Sequence, residues 1–172
     1  MKSRDIAIVG ICLAIGAILR FVANMFPGAI VGNPVIALYC LAIILIRPSV
    51  KEAAGIGLVA GVMSMLISHS IFPPANLISE PLGAVVCAVI YSMLREKIPL
   101  KEAVTTFVST CVSGFSFIGI CMIVMLASFV AVPTGTVTGF FIAVLPIIII
   151  TAVINSVVTQ ILYLPSKKVL SR

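Results

Sequence analysis

Long apolar runs alternate with short polar breaks along this chain, and the pattern predicts its elements. Six runs approach membrane-crossing length. The first spans Asp5 to Phe26 and stops at Pro27-Gly28. The second opens on Pro34, a favourable first-turn position, and closes at Arg47-Pro48. At about 14 residues it is short for a full crossing. The third covers Glu52 to Ile71 and ends before Pro73-Pro74. The fourth runs from Ser79 to Leu94, where Arg95-Glu96-Lys97 breaks it. A fifth begins at Lys101 and extends to Val130, longer than one crossing requires. The sixth runs from Gly139 to Leu164, ahead of Pro165 and a basic tail. Nothing alternates with the ten-residue rhythm of a membrane barrel. The expectation is an all-α integral membrane protein, with six transmembrane helices in a single domain over residues 1–172.

Composition supports the lipid setting. Only 9% of the 172 residues are charged and 62% are hydrophobic, against about 25% charged in soluble domains. Too few polar side chains exist to cover a water-facing surface. The net charge of +6 does not point to nucleic acid, because the basic residues are spread over run ends without interleaved aromatics. The first run has the charged start of a signal peptide. It continues for about 20 apolar residues and shows no clear small-x-small cleavage site, so it is expected to remain as a transmembrane helix.

Charge also sets the expected orientation. Ten of the eleven Lys and Arg residues lie at one set of run ends: Lys2, Arg4, Arg47, Lys51, Arg95, Lys97, Lys101, Lys167, Lys168 and Arg172. The opposite connections, Pro27 to Asn33, Ser70 to Ile78 and Ala131 to Thr138, contain none. The positive-inside rule then places both termini in the cytoplasm and the uncharged loops outside. Those outer loops are rich in Pro, Gly, Asn and Thr, which serves ordinary turns and equally a lid over a cavity.

Three His, Asp, Glu, Lys or Arg side chains stand away from the basic edge: Arg20, His69 and Glu80. Such groups are costly near lipid and usually functional. Glu80, in Ser79-Glu80-Pro81, reads as a carboxylate for a solute N–H, or as a helix N-terminal acid with Pro81 in the first turn. Arg20 lies 15 residues after Asp5, a rise of about 22 Å that brings it level with Glu80. It suits a bidentate clamp on a carboxylate, with pairing to Glu80 or snorkelling as alternatives. Opposite charges at one depth would fit a zwitterion such as an amino acid. His69, Asn76 and Asn33 complete the substrate-binding candidates. Asn155, Thr159 and Gln160 read as interhelical contacts, and Tyr39, Phe72, Phe115, Phe117 and Phe140 as possible pocket walls.

The cysteines Cys12, Cys40, Cys87, Cys111 and Cys121 form no C-x-x-C pair, so no metal site is expected. No nucleophile–base set and no phosphate-cradling glycine loop is present, so neither catalysis nor nucleotide binding is expected. Two rows of small residues remain. Ala7, Gly10, Ala14 and Ala17 recur on one face of the first helix, and Gly57, Gly61, Ser64 and Ser68 on the third. Each suits close helix packing, within the chain or against a separate membrane subunit.

Taken together, six short helices, the small row on the first helix and the uncharged outer loops resemble the substrate-binding S component of an energy-coupling factor (ECF) transporter. The run FPGAIVGNP through IRPSVKEAAGIGLVAGVMSMLISHSIFPPANLISEPLGA is most similar to the tryptophan-transporter S-component family. Gly10 and Ala14 approximate that group's A-x3-A contact. The resemblance implies capture of a small vitamin or amino-acid-like solute, tryptophan among them, from outside a bacterial or archaeal plasma membrane. It implies docking through Ala7, Gly10, Ala14 and Ala17 onto a membrane coupling protein that carries two cytoplasmic ATPases. ATP would be used by those partners, and this chain would hold no cofactor. The competing expectations are a self-sufficient ion-coupled secondary carrier, which calls for mid-depth acids and inverted repeats, and an assembly protein with no solute.

Overall fold

The computed structural model describes residues 1–25, 33–70, 72–94, 98–127 and 134–170. Every regular element among them is helical: α1 (Ser3–Ala23), α2 (Pro34–Ile46), α3 (Val50–Ile67), a 3₁₀ turn (Pro73–Ala75), α4 (Asn76–Met93), α5 (Lys101–Ala127) and α6 (Thr134–Leu170). Five of these segments are long and apolar enough to cross a membrane, whereas α2 is shorter.

Local chemistry explains where the helices start. The Lys2 backbone N–H donates to Asp5 Oδ2 at 3.0 Å, closing the first turn of α1. Ser49 and Glu52 form a reciprocal capping box on α3, with Ser49 N–H donating to Glu52 Oε2 at 2.8 Å. Proline starts α2, and Arg47 ends it in a left-handed conformation at φ 49°.

The thirteen residues of α2 form the centre of the bundle. Val35 to Ile44 are all buried, so the helix is apolar on every side, as a fully enclosed helix must be. The outward faces of the surrounding helices are equally apolar: Ile11 and Ile18 on α1, Leu66 on α3 and Val153 on α6 are all exposed. An apolar core with an apolar surface is stable only where lipid replaces water.

The small row on α3 packs inside the protein. A Cβ on Gly57 would lie 2.5 Å from Pro81 Cα, and one on Gly61 would lie 2.6 Å from Asn76 O. Ser64 is buried alongside them. These glycines let the α3 and α4 backbones approach closely, which leaves this row no free face for another subunit.

Several boundaries differ from expectation. The fourth helix starts at Asn76, because Pro73-Pro74 opens a 3₁₀ turn that runs straight into it and Asn76 Nδ2 donates back to Pro73 O at 2.7 Å. Glu80 therefore sits in the second turn, with Pro81 inside the helix, so the reading of Glu80 as a first-turn acid fails. Helix α3 stops at Ile67, where Ser68 turns extended. Helix α6 starts at Thr134 and passes through Pro165 to Leu170, since one proline removes a single hydrogen bond and the last turn carries Lys167 and Lys168 against its dipole. Of the expected outer loops, residues 27–32 and 131–133 lie outside the described residues, so the lid reading gains no structural account there.

Candidate solute-binding site

The ends of α1, α2, α3 and α4 meet at the pole of the bundle away from the basic residues, and α5 and α6 complete the ring. They enclose a cavity of about 320 Å³, within the range of small-molecule sites. All five sequence-predicted binding residues, Arg20, Asn33, His69, Asn76 and Glu80, line it. The structure brings them together from four different segments of the chain.

Helical period explains the α4 contribution. Its buried stripe runs Asn76, Ser79, Glu80, Gly83, Ala84, Cys87, Tyr91. The stripe is polar where it meets the cavity and small or apolar below. Glu80 is 1% exposed, and a carboxylate so enclosed must be hydrogen-bonded. Asn33 Nδ2 donates to its Oε1. Tyr39 Oη and Ser113 Oγ each donate to its Oε2 at 3.2 Å. These donors come from the α2 N-terminus, the middle of α2, and α5. Asn155 Nδ2 steadies the arrangement from α6 by donating to Asn33 O at 3.1 Å and to Thr110 Oγ1 at 3.3 Å.

Arg20 comes to the same cavity from the last turn of α1 and is 8% exposed. Its Nη2 donates to Ser68 Oγ at 3.3 Å, and Ser68 Oγ in turn donates to Ser70 Oγ at 2.8 Å. Its Nε and Nη1 are buried without a partner. Arg20 and Glu80 form no ion pair with each other; among the described residues the ion pair is that of the Met1 amino group with Glu52. Arg20 and Glu80 thus make no direct ion pair, although the two charges are close enough to attract each other. Two buried acceptors in the cavity wall, Asn33 Oδ1 and Ser79 Oγ, are also without partners. The residues around the cavity thus hold a buried guanidinium and a buried carboxylate, with four nearby polar atoms that lack a partner.

Placement of the remaining candidates is mixed. His69 is exposed and lines the cavity, so it stands at the mouth. Of the aromatic wall candidates, Phe117 lines the cavity with Ile36, Val144, Ile147 and Ile148, while Phe115 faces outward at 42% exposure. Tyr39 is fully buried behind the wall, as a donor to Glu80. Thr159 Oγ1 donates to Ala37 O at 3.1 Å and Gln160 Oε1 accepts from Ala103 N–H at 3.3 Å, both interhelical as expected. On α1, Ala7, Gly10 and Ala14 are exposed, and a Cβ on Gly10 would meet nothing within 4 Å. Ala17 is buried, at the edge of the row nearest the bundle. The five cysteines are free.

Sequence reasoning missed Ser113, Thr110 and Thr151 in the cavity wall. A signal for the first two existed. Thr105, Thr106, Ser109, Thr110 and Ser113 recur at helical spacing and form a buried hydroxyl stripe on α5.

Comparison with known proteins agrees with this architecture. The family model described as "Tryptophan transporter TrpP" matches residues 2–171. A protein of Bacillus subtilis (strain 168) described as "Probable tryptophan transport protein" is 28% identical over 167 residues, covering 95% of this chain and 90% of that protein. No solved structure gives a significant match. A transporter family matched over nearly the whole length, on a chain of apolar helices around a largely apolar cavity with a few polar side chains, makes this a multi-pass cell-membrane protein that moves a small solute and is not an enzyme. It belongs to the tryptophan transporter family.

Proposed function

We propose that this chain is the substrate-binding S component of an ECF-type importer, and that its solute is tryptophan or a close aromatic α-amino acid. One observation carries the substrate reading: Arg20, with two partnerless N–H donors, shares a cavity with Glu80, and the two are not paired. A solute with its own carboxylate and ammonium satisfies both. The carboxylate takes the Arg20 fork. The ammonium takes Glu80, with Asn33 Oδ1 and Ser79 Oγ as further acceptors. Phe117 and the aliphatic wall receive the ring. The family description and the printed name of the Bacillus relative support tryptophan over other amino acids.

In this reading α2 counts as the sixth, shortened span, both termini are cytoplasmic, and the cavity opens outward. The exposed Ala7, Gly10 and Ala14 offer a close-packing face to a membrane coupling protein, which carries two cytoplasmic ATPases that use ATP. Uptake of labelled tryptophan by cells expressing the chain tests the substrate. Arg20→Ala and Glu80→Gln should each sharply raise the tryptophan concentration needed for half-maximal uptake, and unchanged uptake in both variants rejects the reading. Recovery of the tagged chain from mild detergent tests the coupling. Co-purified coupling protein and ATPases support an S component. A partner-free preparation that transports under an ion gradient favours the secondary carrier.

A further inference from the structure

Glu80 receives its hydroxyl hydrogen bonds past a stretch of backbone that carries no side chain. Gly83 lies three residues on along the buried stripe of α4. A Cβ there would stand 2.5 Å from Tyr39 Oη, 3.0 Å from Ser113 Cβ and 3.3 Å from Ser109 O. Those first two residues are the hydroxyl donors to Glu80 Oε2. Ser109 Oγ donates to Gly83 O at 2.7 Å and accepts from Cys40 Sγ at 3.3 Å, so α2, α4 and α5 are held in register at this level. Tyr39 is wholly buried and does not line the cavity. Its hydroxyl stands behind the wall and reaches the cavity through Glu80.

We propose that Tyr39 and Gly83 are positioning residues for solute recognition: the bare Gly83 backbone opens a slot through which the Tyr39 hydroxyl fixes the Glu80 carboxylate toward the solute's ammonium. This rests on the reading of Glu80 as the ammonium site. The slot has a directional consequence. Helix propensity alone favours alanine over glycine inside α4, whereas the slot forbids even one methyl, because it would push both hydroxyls away from Oε2.

The test is equilibrium binding by the purified full chain in detergent. The chain contains no tryptophan, so indole fluorescence reports the ligand alone. Two ligands are compared: tryptophan, and indole-3-propionate, which keeps the ring and carboxylate but lacks the ammonium. Tyr39→Phe should weaken tryptophan about tenfold, the scale of a lost hydrogen bond to a charged group, and leave indole-3-propionate within about twofold. Gly83→Ala should do the same at least as strongly, and should cost less in a Tyr39→Phe background than in the wild type. If Gly83→Ala does not fold, Tyr39→Phe decides alone. Equal losses for both ligands mean a general distortion and overturn the inference, as does a Tyr39→Phe variant that binds tryptophan like wild type. Wild-type protein that ignores tryptophan overturns the parent reading, and this inference with it.

Discussion

The two poles of the bundle handle charge in opposite ways. At the basic pole, charges are matched within the chain. Arg47 lies 5.4 Å and Lys101 4.6 Å from the centre of the Tyr91 ring, and the Tyr91 hydroxyl donates to Glu102 Oε1 at 3.3 Å. Lys167 stands 5.5 Å from the Tyr163 ring, and the Met1 amino group pairs with Glu52. At the cavity pole, some 16 Å along α4 from Tyr91 to Glu80, Arg20 and Glu80 line one cavity without a direct ion pair, and buried donors and acceptors lack partners. An unmatched buried charge is strongly unfavourable. Charge at the basic pole is paired or reaches the surface, whereas the cavity pole keeps buried polar atoms without partners, the arrangement the proposed solute site calls for.

Breaking the open pole should have the largest effect. Arg20→Ala removes both free donors and should weaken tryptophan about 100-fold in a fluorescence titration, the scale for truncating one side of a buried charge pair. Glu80→Gln keeps the shape but loses the charge. It should weaken tryptophan about tenfold to 100-fold while sparing indole-3-propionate, which sharpens the division of labour between the two residues. Gly57→Ala drives a methyl into the α4 backbone beside Pro81 and should lower thermal stability by about 1–3 kcal/mol, read from the melting temperature in detergent. At the matched pole, Tyr91→Phe should cost only about 1 kcal/mol of stability and leave tryptophan affinity unchanged. Gly10→Leu has the smallest expected effect on the isolated chain. Affinity should stay at the wild-type value and the melting temperature should not fall, since open space surrounds Gly10 and glycine is the weaker helix former, while recovery of the proposed coupling protein falls.

Both poles were visible in the sequence, to different degrees. Helix number and the basic edge followed from apolar run length and Lys/Arg placement, because lipid imposes both. The five binding candidates stood out since a charge or amide in an apolar run is conspicuous, and all five line one cavity. Less legible was how Glu80 is held. Tyr39 read as wall material, and Ser113 passed unnoticed because a serine in a membrane helix is chemically ordinary. Gly83 carries no signal at all, since its role depends on the distance between three helices. The start of α4 was misplaced for a local reason: Pro73-Pro74 looks like a full stop, and here it opens a 3₁₀ turn that leads into the helix. The α3 row shows the same limit, because a stripe of small residues reads alike whether the closely packed partner is α4 or another protein.

The most direct test of the open pole is binding of three indole ligands to the wild-type chain, read by their own fluorescence. Tryptophan offers both charges, tryptamine only the ammonium, and indole-3-propionate only the carboxylate. Tryptophan should bind at least about tenfold more tightly than either, because each analogue leaves Arg20 or Glu80 buried without a counterpart. Equal affinity for all three would mean that the cavity recognises only the ring, and would contradict the account.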